Sequence, residues 1–387
     1  EREGRHIVLS QRVFRYLQDG TDQEPRWHVP IFVRAGTKSG VLQKTLLLTE
    51  GEQRVELPDT EWVAVNAGGH GYYRVRYSAD LIGALKQGLQ THLSAVERFG
   101  LVSDSWAATL AGLTPLADYI ALLELFRDER DLNVWNAMIL SSYQLIRILD
   151  EVQRVALQKR IQPLFNSAVE RLTWSAQAGE SDLQKQLRGE LINALGVACE
   201  DRPCQKRAYE LYADYENNPA AIERNLVPAL VSIIAHTGGA GEFDKFCGKF
   251  KNAKTPQEET RYLFALAAFR RPELIEKTLN MTINGEVRTQ NAPYLMRGVL
   301  LNRDARDKAW SFMKSHWGEM TRLYPDNSIP RMCEGIIGLV TPELEADVKD
   351  FFAKHLVKQG TKQMEQHLER LRIAVASQQR WRAAPGF

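Results

Sequence analysis

Trp62-Val63-Ala64-Val65-Asn66-Ala67-Gly68-Gly69-His70-Gly71-Tyr72-Tyr73-Arg74-Val75-Arg76-Tyr77 decides how the chain reads. Two runs rich in Val, Trp and Tyr flank a glycine cluster. Glycine supplies the positive φ angles of tight turns, so the stretch predicts a β-hairpin. Ser78 follows, then Ala79-Asp80-Leu81-Ile82-Gly83-Ala84-Leu85, where apolar residues return at helical spacing. A serine there suits an N-cap, because its hydroxyl can accept a free backbone N–H. Before this stretch the chain alternates like strands, and after it the chain repeats like helices. The expected domains are therefore a β-sandwich over 1–77 and a helical domain over 78–387.

Toward the N-terminus, five runs suit half-buried strands: His6–Gln11, Val13–Tyr16, Trp27–Arg34, Lys44–Thr49 and Gln53–Leu57. Turn clusters at Gln18–Asp22, Ala35–Gly40 and Pro58-Asp59 separate them. With the two hairpin strands this makes about seven short strands, the pattern of a sandwich. Toward the C-terminus, helical patterns run from Ser94 to Trp381 with short breaks. Pro115, Pro203 and Pro272 sit at helix starts, where the missing N–H costs nothing. Gly238-Gly239 reads as a C-cap. On the order of fifteen helices, in pairs at a ~40-residue period, suggest a HEAT/armadillo-like α-solenoid. The fold class is thus mixed and mostly α.

Composition narrows the function. The chain has 387 residues, 44% hydrophobic and 25% charged, with 50 basic against 48 acidic residues and a net charge of +2. That balance gives no electrostatic case for nucleic acid. No apolar run approaches the roughly 20 residues of a membrane span. The chain opens without an initiator Met and reads as a fragment or processed product. Four cysteines occur: Cys199, Cys204, Cys247 and Cys333. Cys199 and Cys204 are close enough to bridge across a turn, with two buried thiols as the alternative. Cys247 shares a helix face with Phe243, Phe246 and Phe250, which suits a packed thiol, and Cys333 reads the same way.

The sequence also argues against a catalytic centre of its own. A zinc-peptidase helix needs His-Glu-x-x-His, so that two imidazoles share one face beside a general base. None of the eight histidines precedes Glu, and no two lie at i, i+4 spacing. There is no Gly-x-Ser-x-Gly elbow. Gly68-Gly69-His70-Gly71 lacks the Gly-Lys-Ser/Thr ending of a phosphate loop. The last helix mixes Lys362, Arg370, Arg372, Arg380 and Arg382 with Glu365 and Glu369, a solvated face.

Asn66-x-Gly68-x-x-Gly71-Tyr72-Tyr73-Arg74-Val75-x-Tyr77 resembles the sandwich-to-helix signature of the zinc aminopeptidases related to aminopeptidase N, puromycin-sensitive aminopeptidase and the endoplasmic-reticulum aminopeptidases. The resemblance continues in Glu97–Ala107, in Trp135, in Cys199/Cys204 with Arg207-Ala208, and in Ala309–Trp317. In that family an N-terminal β-domain and a thermolysin-like catalytic domain precede a β-sandwich and a HEAT-like domain. This chain resembles only the last two. The resemblance implies a parent enzyme that releases N-terminal residues from peptides. Zinc is expected in the parent's missing catalytic domain, with no cofactor in this chain. The expected partners are that catalytic domain and a peptide, whose distal part a concave helical bowl would hold. Tyr143, Arg303 and Arg331 are the residues expected to contact the peptide end, with a packed tyrosine and surface arginines as the alternative. Arg74 is expected to pair with Glu97 or Asp104. The Cys199/Cys204 pair resembles one that is disulfide-bonded in exported relatives, which tilts the location toward periplasmic or extracellular. A catalytically inactive scaffold and a free-standing peptide-binding solenoid remain open.

Overall fold

The computed structural model describes residues 1–17, 25–57 and 59–383. The expected turn at Gln18–Asp22 and the Pro58 half of Pro58-Asp59 lie outside the described residues. The chain divides into two compact units, Glu1–Ser142 and the residues from Tyr143 onward.

In the first unit, six strands form two antiparallel sheets: β1 (Arg2–Glu3), β2 (His6–Ser10), β3 (Val29–Thr37), β4 (Gly40–Leu48), β5 (Glu52–Glu56) and β6 (Thr60–Val65). One sheet has the order β1-β2-β5 and the other β4-β3-β6. Successive strand side chains alternate between faces. Ile31, Val33 and Ala35 on β3 therefore point one way and meet Ile7, Val55 and Leu57 of the other sheet in one buried core. Ile7 stands opposite Val55, and Ala35 opposite Val63. Two sheets sharing one apolar core make the expected sandwich.

The expected hairpin does not form. Asn66 takes a left-handed φ of 61°, and Ala67–Gly69 make one turn of 3-10 helix with Gly68 at φ 75°. The Asn66 side chain then closes the loop, accepting from Gly71 N at 2.7 Å and donating to Gly71 O at 3.0 Å. Residues 72–77 pair with no strand. Instead the Tyr77 hydroxyl takes both backbone groups of Val65, accepting from its N at 2.8 Å and donating to its O at 3.2 Å. Side chains thus occupy the hydrogen-bonding sites a second hairpin strand would need. Val13–Tyr16 is likewise not a strand, and the run from Trp27 begins its strand at Val29. The first unit continues in helices α1 (Ala79–Leu85), α2 (Leu89–His92), α3 (Ala95–Leu110), α4 (Leu116–Glu124) and most of α5 (Leu132–Ile148). Ser94 opens α3 in a capping box, its N–H donating to Glu97 Oε2 at 2.7 Å.

The second unit runs α6 (Glu151–Leu172), α7 (Asp182–Asn193), α8 (Arg202–Asn217), α9 (Val227–Thr237), α10 (Ala240–Lys251), α11 (Pro256–Ala265), α12 (Pro272–Met281), α13 (Ala292–Leu301), α14 (Arg306–Ser315), α15 (Trp317–Leu323), α16 (Ile329–Cys333), α17 (Pro342–Lys354) and α18 (Thr361–Ala383). Several starts follow directly from sequence. Ser181 caps Gln184 N, Asp201 caps Cys204 N at 2.7 Å, and Thr341 caps Leu344 N at 3.2 Å. Helix α9 packs on α7, α8 and α11, and α11 on α10 and α13. Contact between each helix and the next but one is the mark of a two-layer stack of helical pairs. Sequence periodicity missed α13, which opens on Ala292-Pro293 after a polar loop. Gly238 ends α9 in extended backbone (φ −77°, ψ 168°), so it is not the left-handed cap expected there.

Candidate functional site

A cleft of about 580 Å³ opens within the second unit. One wall is the end of α5. Tyr143 and Arg147 are four residues apart, hence on one helix face, and both line the cleft. Asn193 Nδ2 donates to the Tyr143 hydroxyl at 3.1 Å. Burial pushes the Tyr143 pKa up, so the phenol keeps its proton at neutral pH.

The facing elements carry charge in matched pairs. Arg154 pairs with Glu151 at the start of α6. Arg270 donates Nε to Asp304 at 2.5 Å and Nη1 to Glu200 at 3.0 Å. His236 on α9 shares the same Glu200 oxygen at 3.0 Å. Burial alone would raise the Glu200 carboxyl, but His236 and Arg270 outweigh it and hold the pKa down. Glu200 sits at φ 54°, directly after a π-helical segment, Ala194–Ala198. Left-handed backbone on a non-glycine residue is strained and persists only where surrounding bonds hold it; here the bonds to His236 and Arg270 do so. Phe264, Ala267, Ala268, Gly298 and Leu301 add apolar surface to the lining, beside the polar Gln158 and Asn302.

Arg303, expected to meet a ligand, is largely committed. Its Nη1 donates to the Ile146 carbonyl at 2.9 Å, satisfying a helix-end acceptor of α5. Its Nη2 lies 3.9 Å from Glu151. Arg147 is different. It has no hydrogen bond or ion pair among the described residues. Burial lowers its pKa, and the opposing influence comes from Glu334. That carboxylate is itself held by Arg297 at 2.7 Å and by Arg370 at 3.8 Å. Four arginines (147, 154, 270, 303) therefore face three carboxylates (151, 200, 304) in the lining. The unmatched positive charge is Arg147, a residue sequence reasoning did not single out. Its i, i+4 spacing from Tyr143 was the available signal.

Tyr143 and Arg303 thus come together, whereas Arg331 is exposed on α16 and does not line the cleft. The signature residues lie in the first unit. Arg74 Nη1 meets Asp104 at 3.2 Å, one of its two expected partners. Glu97, the other, binds Arg34 at 2.5 Å and accepts from Gly68 N at 3.0 Å. Tyr73 packs on the sandwich core, and Tyr72 is fully exposed. All four cysteines are free thiols: Cys199, Cys204 and Cys333 are buried and Cys247 is half-buried. Ser311-Phe312-Met313-Lys314 has Ser-x-x-Lys spacing, which corrects the expectation that the sequence holds no such motif. Its lysine is tied to Asp347 and lies over Trp310, and its serine is exposed. Among the described residues, no three His, Cys, Asp or Glu side chains gather as metal ligands. Nor is any helix there long and apolar enough to cross a membrane.

Residues 62–373 match the family model of the ERAP1-like C-terminal domain. The chain is 26% identical over 386 residues to "Aminopeptidase M1" of Arabidopsis thaliana, covering 93% of this chain and 43% of that protein. It is 26% identical over 387 residues to "Aminopeptidase 2, mitochondrial" of Saccharomyces cerevisiae, covering 97% and 39%. It is 25% identical over 374 residues to "Alanine/arginine aminopeptidase" of the same yeast, covering 95% and 43%. The chain therefore spans less than half the length of these relatives.

Proposed function

This chain belongs to the ERAP1-like C-terminal domain family, and from that membership we propose that it is the C-terminal part of a zinc aminopeptidase that releases N-terminal residues from peptides. The metal belongs to the part of the parent outside this chain. The described residues offer no ligand set for it, so no step is assigned to a metal here. What this part contributes is an enclosure around the active site and a hold on the distal end of the peptide.

The observation that supports this reading is the unmatched Arg147 beside the Tyr143 hydroxyl. A guanidinium presents a planar fork of donors that fits a carboxylate. A half-buried cation without a partner carries a desolvation cost that an incoming anion offsets. The peptide's C-terminal carboxylate is the group that every unmodified peptide carries there. Phe264, Leu301 and the small residues beside them would receive the last side chain. Arg303 braces the helix that presents Arg147.

The test uses the parent protein with Arg147→Ala and Arg147→Lys. Substrates are a ten-residue peptide as free acid, the same peptide as C-terminal amide, and an aminoacyl anilide. Losing a hydrogen bond to a charged group is worth about 1.5–3 kcal/mol, so KM for the free acid should rise roughly 10- to 100-fold. The anilide should be unaffected. The amide should bind weakly throughout and respond little to the substitution. Equal losses on peptide and anilide, or on acid and amide, would overturn the reading.

A further inference from the structure

The Tyr143 hydroxyl has one partner among the described residues, Asn193, whose Nδ2 donates to it at 3.1 Å. A phenol carries one proton to donate and accepts through its lone pairs. With Asn193 donating, the Tyr143 proton is left for another acceptor, and Tyr143 lines the cleft. The other end of the same amide is not satisfied, because Asn193 Oδ1 is buried without a partner among the described residues. Turned over, the amide would accept the phenol proton through Oδ1 as a neutral pair. Tyr143 would then offer the cleft only an acceptor. Buried polar atoms normally find partners, so an orphan beside a ligand cleft points to a use. The backbone under Asn193 is also unusual. Asn193 is the last residue of α7, and the chain continues in the π-helical segment Ala194–Ala198. Such segments are rare and concentrate at functional sites. Two side-chain amides hold this one, Gln205 Nε2 donating to Gly196 O at 2.8 Å and Gln158 Nε2 to Ala198 O at 2.9 Å. A Cβ on Gly196 would stand 2.6 Å from Ile233 Cδ1, so only glycine fits there. The segment thus brings Asn193 to Tyr143 and then Val197, Ala198 and Glu200 to the lining.

We propose that Asn193 is a positioning residue that keeps Tyr143 a hydrogen-bond donor, so that the cleft takes a carboxylate in preference to a carboxamide. Arg147 offers donors only. With Tyr143 donating as well, both oxygens of a carboxylate are met, whereas the NH2 of a C-terminal amide would face donors alone. The bond from the phenol to a carboxylate is charge-assisted and stronger than a neutral phenol–amide pair. It therefore offsets the unsatisfied Oδ1, and the cleft is set for its ligand before the ligand arrives. Selectivity of this kind presupposes the carboxylate reading of the cleft and adds the residue that sets it.

The parent protein carrying Asn193→Asp tests it, because a carboxylate at that position can only accept and would take the Tyr143 proton. KM is measured at neutral pH for the ten-residue peptide as free acid and as C-terminal amide. The advantage of the acid over the amide should shrink at least about 10-fold, the worth of a hydrogen bond to a charged group. Asn193→Ala removes the restraint without adding charge and should shrink the advantage by about 2- to 10-fold. In a Tyr143→Phe background Asn193→Ala should leave the ratio where Tyr143→Phe puts it, because the two side chains act through one bond. Taking the ratio within one preparation cancels any loss of folded protein. A ratio that survives Asn193→Asp, or that falls with Asn193→Ala equally with and without the Tyr143 hydroxyl, would overturn the role of Asn193 and leave the carboxylate reading standing. A parent that takes acid and amide alike would overturn the carboxylate reading and the role of Asn193 with it.

Discussion

Glu97 carries the clearest energetic prediction. Its side chain is 6% exposed and one carboxylate serves three elements. It pairs with Arg34 on β3 at 2.5 Å, accepts from Gly68 N in the signature loop at 3.0 Å, and closes the α3 capping box through Ser94 N at 2.7 Å. Breaking a buried ion pair costs about 3–5 kcal/mol. Arg34 is 25% exposed, keeps a bond to the His92 carbonyl and lies 5.6 Å over the Trp62 ring. It is not fully orphaned, so the pair is worth less than that range. Adding about 1 kcal/mol for the cap, Glu97→Ala should cost about 3 kcal/mol. Glu97→Gln keeps one acceptor oxygen but turns its NH2 toward groups of which only the Ser94 hydroxyl can accept, and should cost about 2 kcal/mol. A cycle with Arg34→Ala should give a coupling of about 1–2 kcal/mol. Native-state hydrogen exchange at the Val33 and Ala35 amides reads these differences in the first unit alone. A cost for Glu97→Ala below about 1 kcal/mol, or no coupling to Arg34, would refute the reasoning.

Three further outcomes are expected. The Glu129 side chain is fully buried and paired with Arg98 at 2.6 Å; burial would raise its pKa, but Arg98 and the N–H groups of Asp131 and Arg130 outweigh that and lower it. Its stabilisation is therefore complete above the unfolded value of about 4.3 and is lost as pH falls through the lowered folded value, so the stability gap between parent and Glu129→Gln, read by urea midpoint, should narrow from pH 7 to pH 3; a constant gap would contradict it. In Gly36→Ala the new Cβ would stand 1.9 Å from Trp62 Nε1, and Trp62 is stacked on His92 at 4.6 Å, so overpacking of about 1–3 kcal/mol should appear as a lower Tm. Thiol titration without reductant should find four free thiols on unfolding, with Cys247 reacting first in the folded chain because the other three are buried; only two would mean that Cys199 and Cys204 are bridged.

What sequence showed and what it hid divides along physical lines. Caps at Ser94, Ser181, Asp201 and Thr341 act within four residues and so follow from local sequence, whereas Ser78, expected to cap α1, stands at its N-cap without a side-chain capping bond. The sandwich core was legible through alternation at Ile31 and Val33, whereas Ala35, expected in a turn, continues β3 into the same core. The missing hairpin strand was not, because Asn66 and Tyr77 replace backbone pairing with side-chain bonds that no periodicity encodes. Tyr143 and Arg303 were named from resemblance and do share the cleft, whereas Arg331 does not. Arg147 was invisible among 50 basic residues. Its character emerges only after every neighbouring ion pair has been assigned in three dimensions.

Mass and zinc content of the protein purified from its source test the central claim most directly. The account predicts a chain well above 44.0 kDa carrying about one zinc, as a single catalytic site requires, and releasing N-terminal residues from peptides. A native chain of 44.0 kDa without zinc would contradict it and make the Arg147 cleft a binding site in its own right.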